Sequence, residues 1–322
     1  MPDNLIQMED NKIIHIGTRG SKLALWQANA VADKLQQAGF ATELVIISTK
    51  GDQVLDKSLD KIGSKGVFTE ELEDGLRDGS IDVAVHSAKD VQSTIPADLE
   101  LIAFMEREKV NDVILSFDPE FKLERDTKAV IGTSSTRRKA LFKKYYPNVT
   151  TAESRGNLQT RLKKLEDGQF DALMLAYAGV FRMGYDNLVV HTFPENEFIP
   201  AAGQGSVAVE CARNMADELK QQIKQALDHE ETHYCLLAER AFLRTMEGGC
   251  SIPSFALAVL KDEQTVTIEG GLISLDGQQF LVDTFEAPKT EAEAIGEKLA
   301  RTILGRGGDQ ILKDIRGARV EE

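Results

Sequence analysis

Cysteine is scarce in this chain, with three in 322 residues: Cys211, Cys235 and Cys250. So few, so widely scattered, cannot build a disulfide framework, which fits a reducing compartment. Long apolar runs are also missing. No stretch nears the ~18 residues that a membrane-spanning helix needs, and Met1 to Asn11 has neither the basic start nor the apolar centre of a secretory signal. The expectation is a cytoplasmic protein with no membrane partner. Nor is there a basic excess. The net charge is −14, whereas a general nucleic-acid binder draws its affinity from clustered Lys and Arg. With 42% hydrophobic and 28% charged residues, what remains is an ordinary globular composition, long enough for two or three domains.

Charge is unevenly spread. Between Gly132 and Lys164 stand nine basic residues (Arg137, Arg138, Lys139, Lys143, Lys144, Arg155, Arg161, Lys163 and Lys164) against one acid, Glu153. A basic island on an acidic chain points to a small polyanionic ligand, because a local field captures carboxylates while the overall charge repels nucleic acid. Lys143, Lys144, Lys163 and Lys164 fall where helices show their wet side, so the arginines carry this argument.

One loop organises the rest. Glu247-Gly248-Gly249-Cys250-Ser251-Ile252-Pro253 frees the backbone with two glycines and stops any helix with proline, which places Cys250 on a tight turn. A cysteine in a turn is commonly no more than a small hydrophobe. Here the preceding stretch, Tyr234 to Met246, reads as an amphipathic helix with Leu236, Leu237, Phe242 and Leu243 on its apolar face, an anchor that would hold the thiol rigidly. Cys211 and Cys235 are expected in the core.

Along the chain, strand, glycine turn and helix recur as in a doubly wound sheet, whose turns bind ligands. Lys12 to Ile16 leads into Gly17-Thr18-Arg19-Gly20-Ser21 and a helix over Lys22 to Gln37, with Ser21 as N-cap and Arg19 without a structural excuse. Thr42 to Ser48 is a strand. Asp52 to Gly66, ending Lys61-Ile62-Gly63-Ser64-Lys65-Gly66, reads as a lid. A helix over Phe68 to Asp78 precedes the strand Ile81 to Val85, and beyond it stands His86-Ser87-Ala88-Lys89-Asp90, a lysine and a carboxylate facing a ligand crevice. Leu101 to Phe104 is a strand, and the charged stretch after it, Met105 to Asn111, reads as a hinge. Alternation restarts at Asp112. Strands over Val113 to Ser116 and Ala129 to Ile131 run into Gly132-Thr133-Ser134-Ser135-Thr136-Arg137-Arg138, an anion cradle with free N–H groups and two guanidinium forks. Glu153-Ser154-Arg155-Gly156-Asn157 repeats the pattern, and Arg182 follows the strand Asp171 to Leu175. Ile199 to Gly205, containing Gln204, reads as a crossing back, so that the strand Ser206 to Cys211 completes the first sheet. Asp228 to Met246 is helical. Strands over Phe255 to Leu260, Val266 to Ile273 and Phe280 to Phe285, then two helices, form an α+β tail.

His229-Glu230-Glu231-Thr232-His233 matches the H-E-x-x-H zinc-protease pattern. It is refused, because Asp228 and Glu231 read as a capping box that puts His229 and Glu230 in the first helical turn, where acids simply suit the dipole. A third ligand from Glu239 or Glu247 stays open at this level.

With these residues assembled, the chain resembles the porphobilinogen deaminase (hydroxymethylbilane synthase) family over nearly its whole length. The motifs are Arg19 to Gln27, Val85 to Val91, Gly132 to Arg138, Arg155-Gly156-Asn157, Ala202 to Gly205, and Ala238-Glu239-Arg240 leading to Cys250. The resemblance implies an α/β fold of two periplasmic-binding-protein-like doubly wound domains, at 1–105 with 206–224 and at 111–199, hinged near 106–111 and 200–205, plus a small α+β third domain at 228–322 with an antiparallel sheet. It implies a transferase that condenses four porphobilinogens, with loss of ammonia, onto a dipyrromethane cofactor joined to Cys250 by a thioether, and then hydrolyses the chain to hydroxymethylbilane. Asp90 matches the catalytic carboxylate. Lys89, Asp90, Ser135, Arg137, Arg138, Arg155 and Gly156 match cofactor-binding positions. Arg19, Ser21, Lys61, Lys65, Arg155, Arg161, Arg182 and Gln204 match substrate-binding ones. No metal, nucleic acid or second subunit is implied. Thr136, Ala88, Gln92 and Ser206 depart from the family's usual residues but touch no group assigned to chemistry. The rival is a solute-binding or effector-sensing module, which the same hinged fold would serve without reacting.

Overall fold

The computed structural model describes residues 13–49, 69–247 and 252–320. In chain order these form β1 (Ile13–Thr18), α1 (Lys22–Gln37), β2 (Ala41–Ile46), α2 (Glu70–Asp78), β3 (Val83–Ser87), β4 (Leu99–Phe104), β5 (Asp112–Leu115), β6 (Val130–Gly132), α3 (Thr136–Tyr145), β7 (Thr150–Ala152), α4 (Leu158–Glu166), β8 (Ala172–Ala176), α5 (Tyr177–Arg182), β9 (Val189–Thr192), β10 (Val207–Ala212), α6 (Asp217–Leu227), α7 (Glu230–Thr245), β11 (Ser254–Leu260), β12 (Thr265–Ile273), β13 (Phe280–Pro288), α8 (Ala292–Ile303) and α9 (Asp309–Val320).

Two five-stranded sheets repeat one plan. The first runs β2-β1-β3-β10-β4 and the second β7-β6-β8-β5-β9. In each, three strands are parallel (β2, β1, β3 and β7, β6, β8) and the fourth is antiparallel. That fourth strand is the one delivered by a crossing: β5 follows 105–111 and β10 follows 200–206, so each crossing ends inside the sheet it enters. The return of β10 between β3 and β4 bears out the first-sheet expectation. The short strands β7 and β9 carry no alternating pattern long enough to be read from sequence, since each has only three or four residues.

Because the parallel strands of each sheet point one way, their carboxyl ends share an edge. In the first sheet that edge carries the turns at 19–21 and 88–90; in the second it carries those at 133–135, 153–157 and 177–182. The turns begin helices for local reasons. Ser21, Ser135 and Asn157 are N-caps, accepting from the backbone N–H groups of Ala24, Arg138 and Thr160.

The third sheet, β11-β12-β13, is antiparallel and buries Ala256, Val266, Ile268 and Leu272 against Phe242 of α7 and Leu299 of α8. Burying each large apolar side chain contributes about 1.5–3 kcal/mol. α7 is buried more widely than the apolar stripe predicts: Leu236 and Phe242 are enclosed and Leu237 and Leu243 half-buried, but Cys235, Ala238, Glu239 and Ala241 are enclosed as well. Cys211 and Cys235 lie in the core, and burial pushes both thiols up to about 12.

The start of α7 corrects the capping-box reading. The N-cap is His229, whose Nδ1 accepts from the Thr232 N–H, and α7 begins at Glu230. Asp228 faces elsewhere, accepting from the Phe104 N–H at 2.8 Å and pairing with His233 at 2.9 Å. The zinc-protease pattern still fails, for a better reason: one histidine caps the helix instead of lying on its face. Glu239 is committed to Arg107 and Glu247 to Arg316. Among the described residues, no three His, Cys, Asp or Glu side chains stand together as metal ligands.

Candidate functional site

Where the two sheets meet, Asp112 opens β5 with no surface exposed. Arg137 and Arg138, on the first turn of α3, converge on it. Arg137 Nη2 donates to Oδ2 at 2.7 Å, and Arg138 donates to Oδ1 through Nη2 at 2.7 Å and Nε at 3.2 Å. Their remaining bonds go to backbone carbonyls, Arg137 to Ile199 and Arg138 to Met174. Burial alone would raise the Asp112 pKa, but the two guanidinium groups outweigh it and hold the carboxyl well below the usual carboxylate range. Two cations on one anion leave a buried surplus of positive charge.

Gln204 is buried beside this group. Its amide donates to the Val110 carbonyl at 2.6 Å and to Asp112 Oδ1 at 3.0 Å, while its oxygen accepts from Lys89 Nζ at 3.4 Å. The glycines around it are demanded by the geometry. Gly203 has φ +79, and a Cβ there would stand 2.8 Å from the Ala88 carbonyl carbon and the Lys89 nitrogen; Gly205 has φ +92, and its Cβ would reach 2.4 Å from the Glu108 oxygen. The two crossings therefore run against each other and against the turn that carries Asp90.

That turn is a single 3₁₀ turn, Ala88–Asp90, after β3. Asp90 is exposed toward the seam. Lys89 is only half-buried by surface, yet protein crowded around its ammonium disfavours the charge and lowers its pKa to about 8; Asp90 opposes the shift and Arg138 adds to it. Arg161, on α4, is similarly lowered to about 10 by burial and then by Arg138, with Asp90 opposing and Arg155 adding. Lys89, Asp90, Arg138, Arg155 and Arg161 thus lie close enough for their charges to be felt by one another. Arg155 also pairs with Glu153 at 3.4 Å, and Arg161 Nε donates to the Gly156 carbonyl at 2.8 Å. Arg182 donates to the Gly205 carbonyl at 2.7 Å. Arg19 stands half-buried on the first turn, and Ser21 and Ser135 spend their oxygens on helix caps. Lys143, Lys144 and Lys163 are exposed, as their helix positions predict. Cys250, Lys61 and Lys65 lie outside the described residues.

Behind the site are two buried carboxylates, Glu210 and Glu239. Glu210, inside β10, accepts or shares a hydrogen with His86 Nε2 at 3.0 Å, both buried. Glu239 of α7 takes Arg107 in a fork at 2.6 and 3.1 Å, the Gly203 N–H at 2.7 Å and the Ala258 N–H at 2.8 Å. Two of the positions that depart from the family pattern also bond: Gln92 donates to Thr69 at 3.2 Å and Glu73 at 3.0 Å, and Ser206 donates to the Met105 carbonyl at 3.0 Å.

A seam lined by crowded cations with one exposed carboxylate suits a ligand bearing several carboxylates. Such a ligand adds counter-charge beside Lys89 and Arg161, where Asp90 is opposed by the arginines. The donor set therefore fits a dipyrromethane, whose side chains are carboxylates, and Cys250 is the residue expected to bear it.

Comparison with known proteins agrees. A family model for the porphobilinogen deaminase dipyrromethane cofactor binding domain matches residues 14–221, and one for the porphobilinogen deaminase C-terminal domain matches 233–305. The chain is 51% identical to a porphobilinogen deaminase of Cytophaga hutchinsonii, covering 95% of this chain and 98% of that one. It is 50% identical to one of Desulfosudis oleivorans, with 94% and 98% covered. A periplasmic VFT2 domain of Bordetella pertussis BvgS is 15% identical and aligns with 66% of this chain and 86% of its own, with a TM-score of 0.43. No described helix is long and apolar enough to cross a membrane. From the two matched domain models, the near-complete coverage of the relatives and the cation-lined seam, the chain belongs to the porphobilinogen deaminase family.

Proposed function

We infer that the chain is a transferase of tetrapyrrole biosynthesis, condensing four porphobilinogens head to tail with loss of ammonia and releasing hydroxymethylbilane. The observation that carries this reading is the crowding of Lys89 and Arg161 beside Arg138, with Asp90 acting on both and Arg155 adding to Arg161, a charge pattern that polyanionic pyrroles relieve. The dipyrromethane, bound through a thioether to Cys250, supplies the nucleophilic terminal pyrrole on which the chain grows.

The residues divide the work by their chemistry. Asp90 is exposed where developing positive charge on pyrrole nitrogens needs a counter-charge and where a proton must be held, roles suited to a carboxylate. Lys89, Arg155 and Arg161 hold carboxylates, with Ser135 and Gly156 shaping the cradle. Arg137 and Arg138 do so from a position fixed by Asp112, so each presents to the ligand only the guanidinium edge that Asp112 and the carbonyls do not take. Arg19, Ser21, Arg182 and Gln204 serve the incoming pyrrole, joined by Lys61 and Lys65. We read 1–105 with 206–224, 111–199 and 228–322 as the three domains. The protein acts as a cytoplasmic monomer on a small molecule and takes no nucleic acid; the net charge of −14 supports the last point.

Turnover tests the reading. Purified protein given porphobilinogen should release ammonia and form a linear tetrapyrrole, and Asp90→Ala should stay folded and lose at least a hundredfold in rate, the order expected for removing a charge-stabilising, proton-holding group. A folded wild-type protein that binds porphobilinogen without releasing ammonia would favour the solute-binding rival. Undiminished turnover in Asp90→Ala would refute the role of Asp90.

A further inference from the structure

Trp26 is the chain's one tryptophan, and 40% of it is exposed. It sits on α1, beside the first sheet. Arg182, at the end of α5 beside the second sheet, lays its guanidinium over the indole, with Cζ 5.1 Å from the ring centroid. Arg182 Nη2 also donates to the Gly205 carbonyl at 2.7 Å, in the second crossing. Three parts of the chain that share no sheet are thereby joined through one side chain. Gly205 adjoins Gln204, which accepts from Lys89, so this junction borders the turn that carries Asp90.

A guanidinium offers five N–H donors in one plane. The indole attracts the cation as a whole, whereas the Gly205 carbonyl takes one donor. A ring beside the group and a carbonyl at one corner together restrict where the group can sit. An exposed arginine without them would spread over many rotamers and lose that freedom each time a carboxylate arrived. An apolar side chain of similar reach could fill the space, but it lacks the negative π face that attracts the cation.

We propose that Trp26 is a positioning residue for Arg182, fixing with the Gly205 carbonyl the place from which Arg182 offers its remaining donors to a pyrrole carboxylate across the seam between the two sheets. The proposal rests on the family reading above for the nature of the ligand. It makes Trp26 matter to substrate capture and not to bond making.

The test uses the holoenzyme with Trp26→Leu, Trp26→Phe, Arg182→Leu and the Trp26→Leu/Arg182→Leu double variant, each checked for the cofactor mass and assayed with porphobilinogen. Trp26→Leu should raise KM about threefold, the scale of one cation–π contact at an exposed site, with kcat within a factor of two. Trp26→Phe should restore most of the loss, and in the Arg182→Leu background Trp26→Leu should add nothing. As a check that needs no variant of Trp26, the emission of the lone tryptophan should change between wild type and Arg182→Leu. An unchanged KM in Trp26→Leu, a Phe variant as impaired as the Leu one, independent addition of the two losses, or identical emission would overturn the proposal. Failure of wild type to carry the adduct or turn over would instead overturn the family reading.

Discussion

Asp112 determines what Arg137 and Arg138 can do. Without it, two buried guanidinium groups would face each other uncompensated, so Asp112→Ala should cost about 3–5 kcal/mol at pH 7, the usual penalty for breaking a buried ion pair. The pH dependence follows from the direction of its shift. The Asp112 carboxyl is held low in the folded protein, so its contribution is complete above the ordinary aspartate value of about 3.9 and fades as pH falls below it. Urea unfolding of wild type and Asp112→Ala should show a stability gap at pH 7 that narrows below about pH 4; a constant gap would mean that the ion pair is not its source. Nothing in the sequence pairs Asp112 with these arginines, since it lies 25 and 26 residues before them and reads there as an acid at a strand's beginning.

Among the elements, α7 does more than its pattern announces. Glu239 joins it to the first crossing through Arg107, to the second through the Gly203 N–H, and to the third sheet through the Ala258 N–H. Burying a carboxylate costs several kcal/mol unless its oxygens are fully bonded, and here four donors converge. Glu239→Ala should therefore lower stability by about 3–5 kcal/mol, read from the shift in denaturant midpoint, and should loosen the crossings as well as the third sheet. A loss below about 1 kcal/mol would show that the hub is not what ties them. This part was not legible: the apolar face read as Leu236, Leu237, Phe242 and Leu243 leaves out Glu239, whose burial depends on partners from distant parts of the chain. The strand-turn-helix units, the Ser21 cap and the return of β10 were readable because glycine turns and N-cap residues act locally. The start of α7 was misread because Asp228 and His229 both satisfy capping chemistry, and only the bond of Asp228 to the distant Phe104 and its pairing with His233 separate them.

At the scale of the whole molecule, the proposed chemistry requires a primer on the Cys250 loop to reach the seam between the first two sheets. The sheets set that seam. Parallel strands put the turns of Asp90 and of the arginines on facing edges, and the second crossing brings Gln204 against Lys89 in the turn of Asp90. Sequence order alone conveys the edges but not how closely they approach, because that distance is set by Gly203 and Gly205 against Lys89 and Glu108. The positive surplus then explains how an acidic chain holds a polyanion: a short-range field within a partly buried seam outweighs a distant net charge that salt screens. The most direct measurement is the intact mass of the purified protein beside that of Cys250→Ser. Wild type should exceed its sequence mass by one dipyrromethane, mapped to the peptide holding Cys250, and the variant should show no excess and no turnover. A catalytically active wild-type protein at its bare sequence mass would contradict the account.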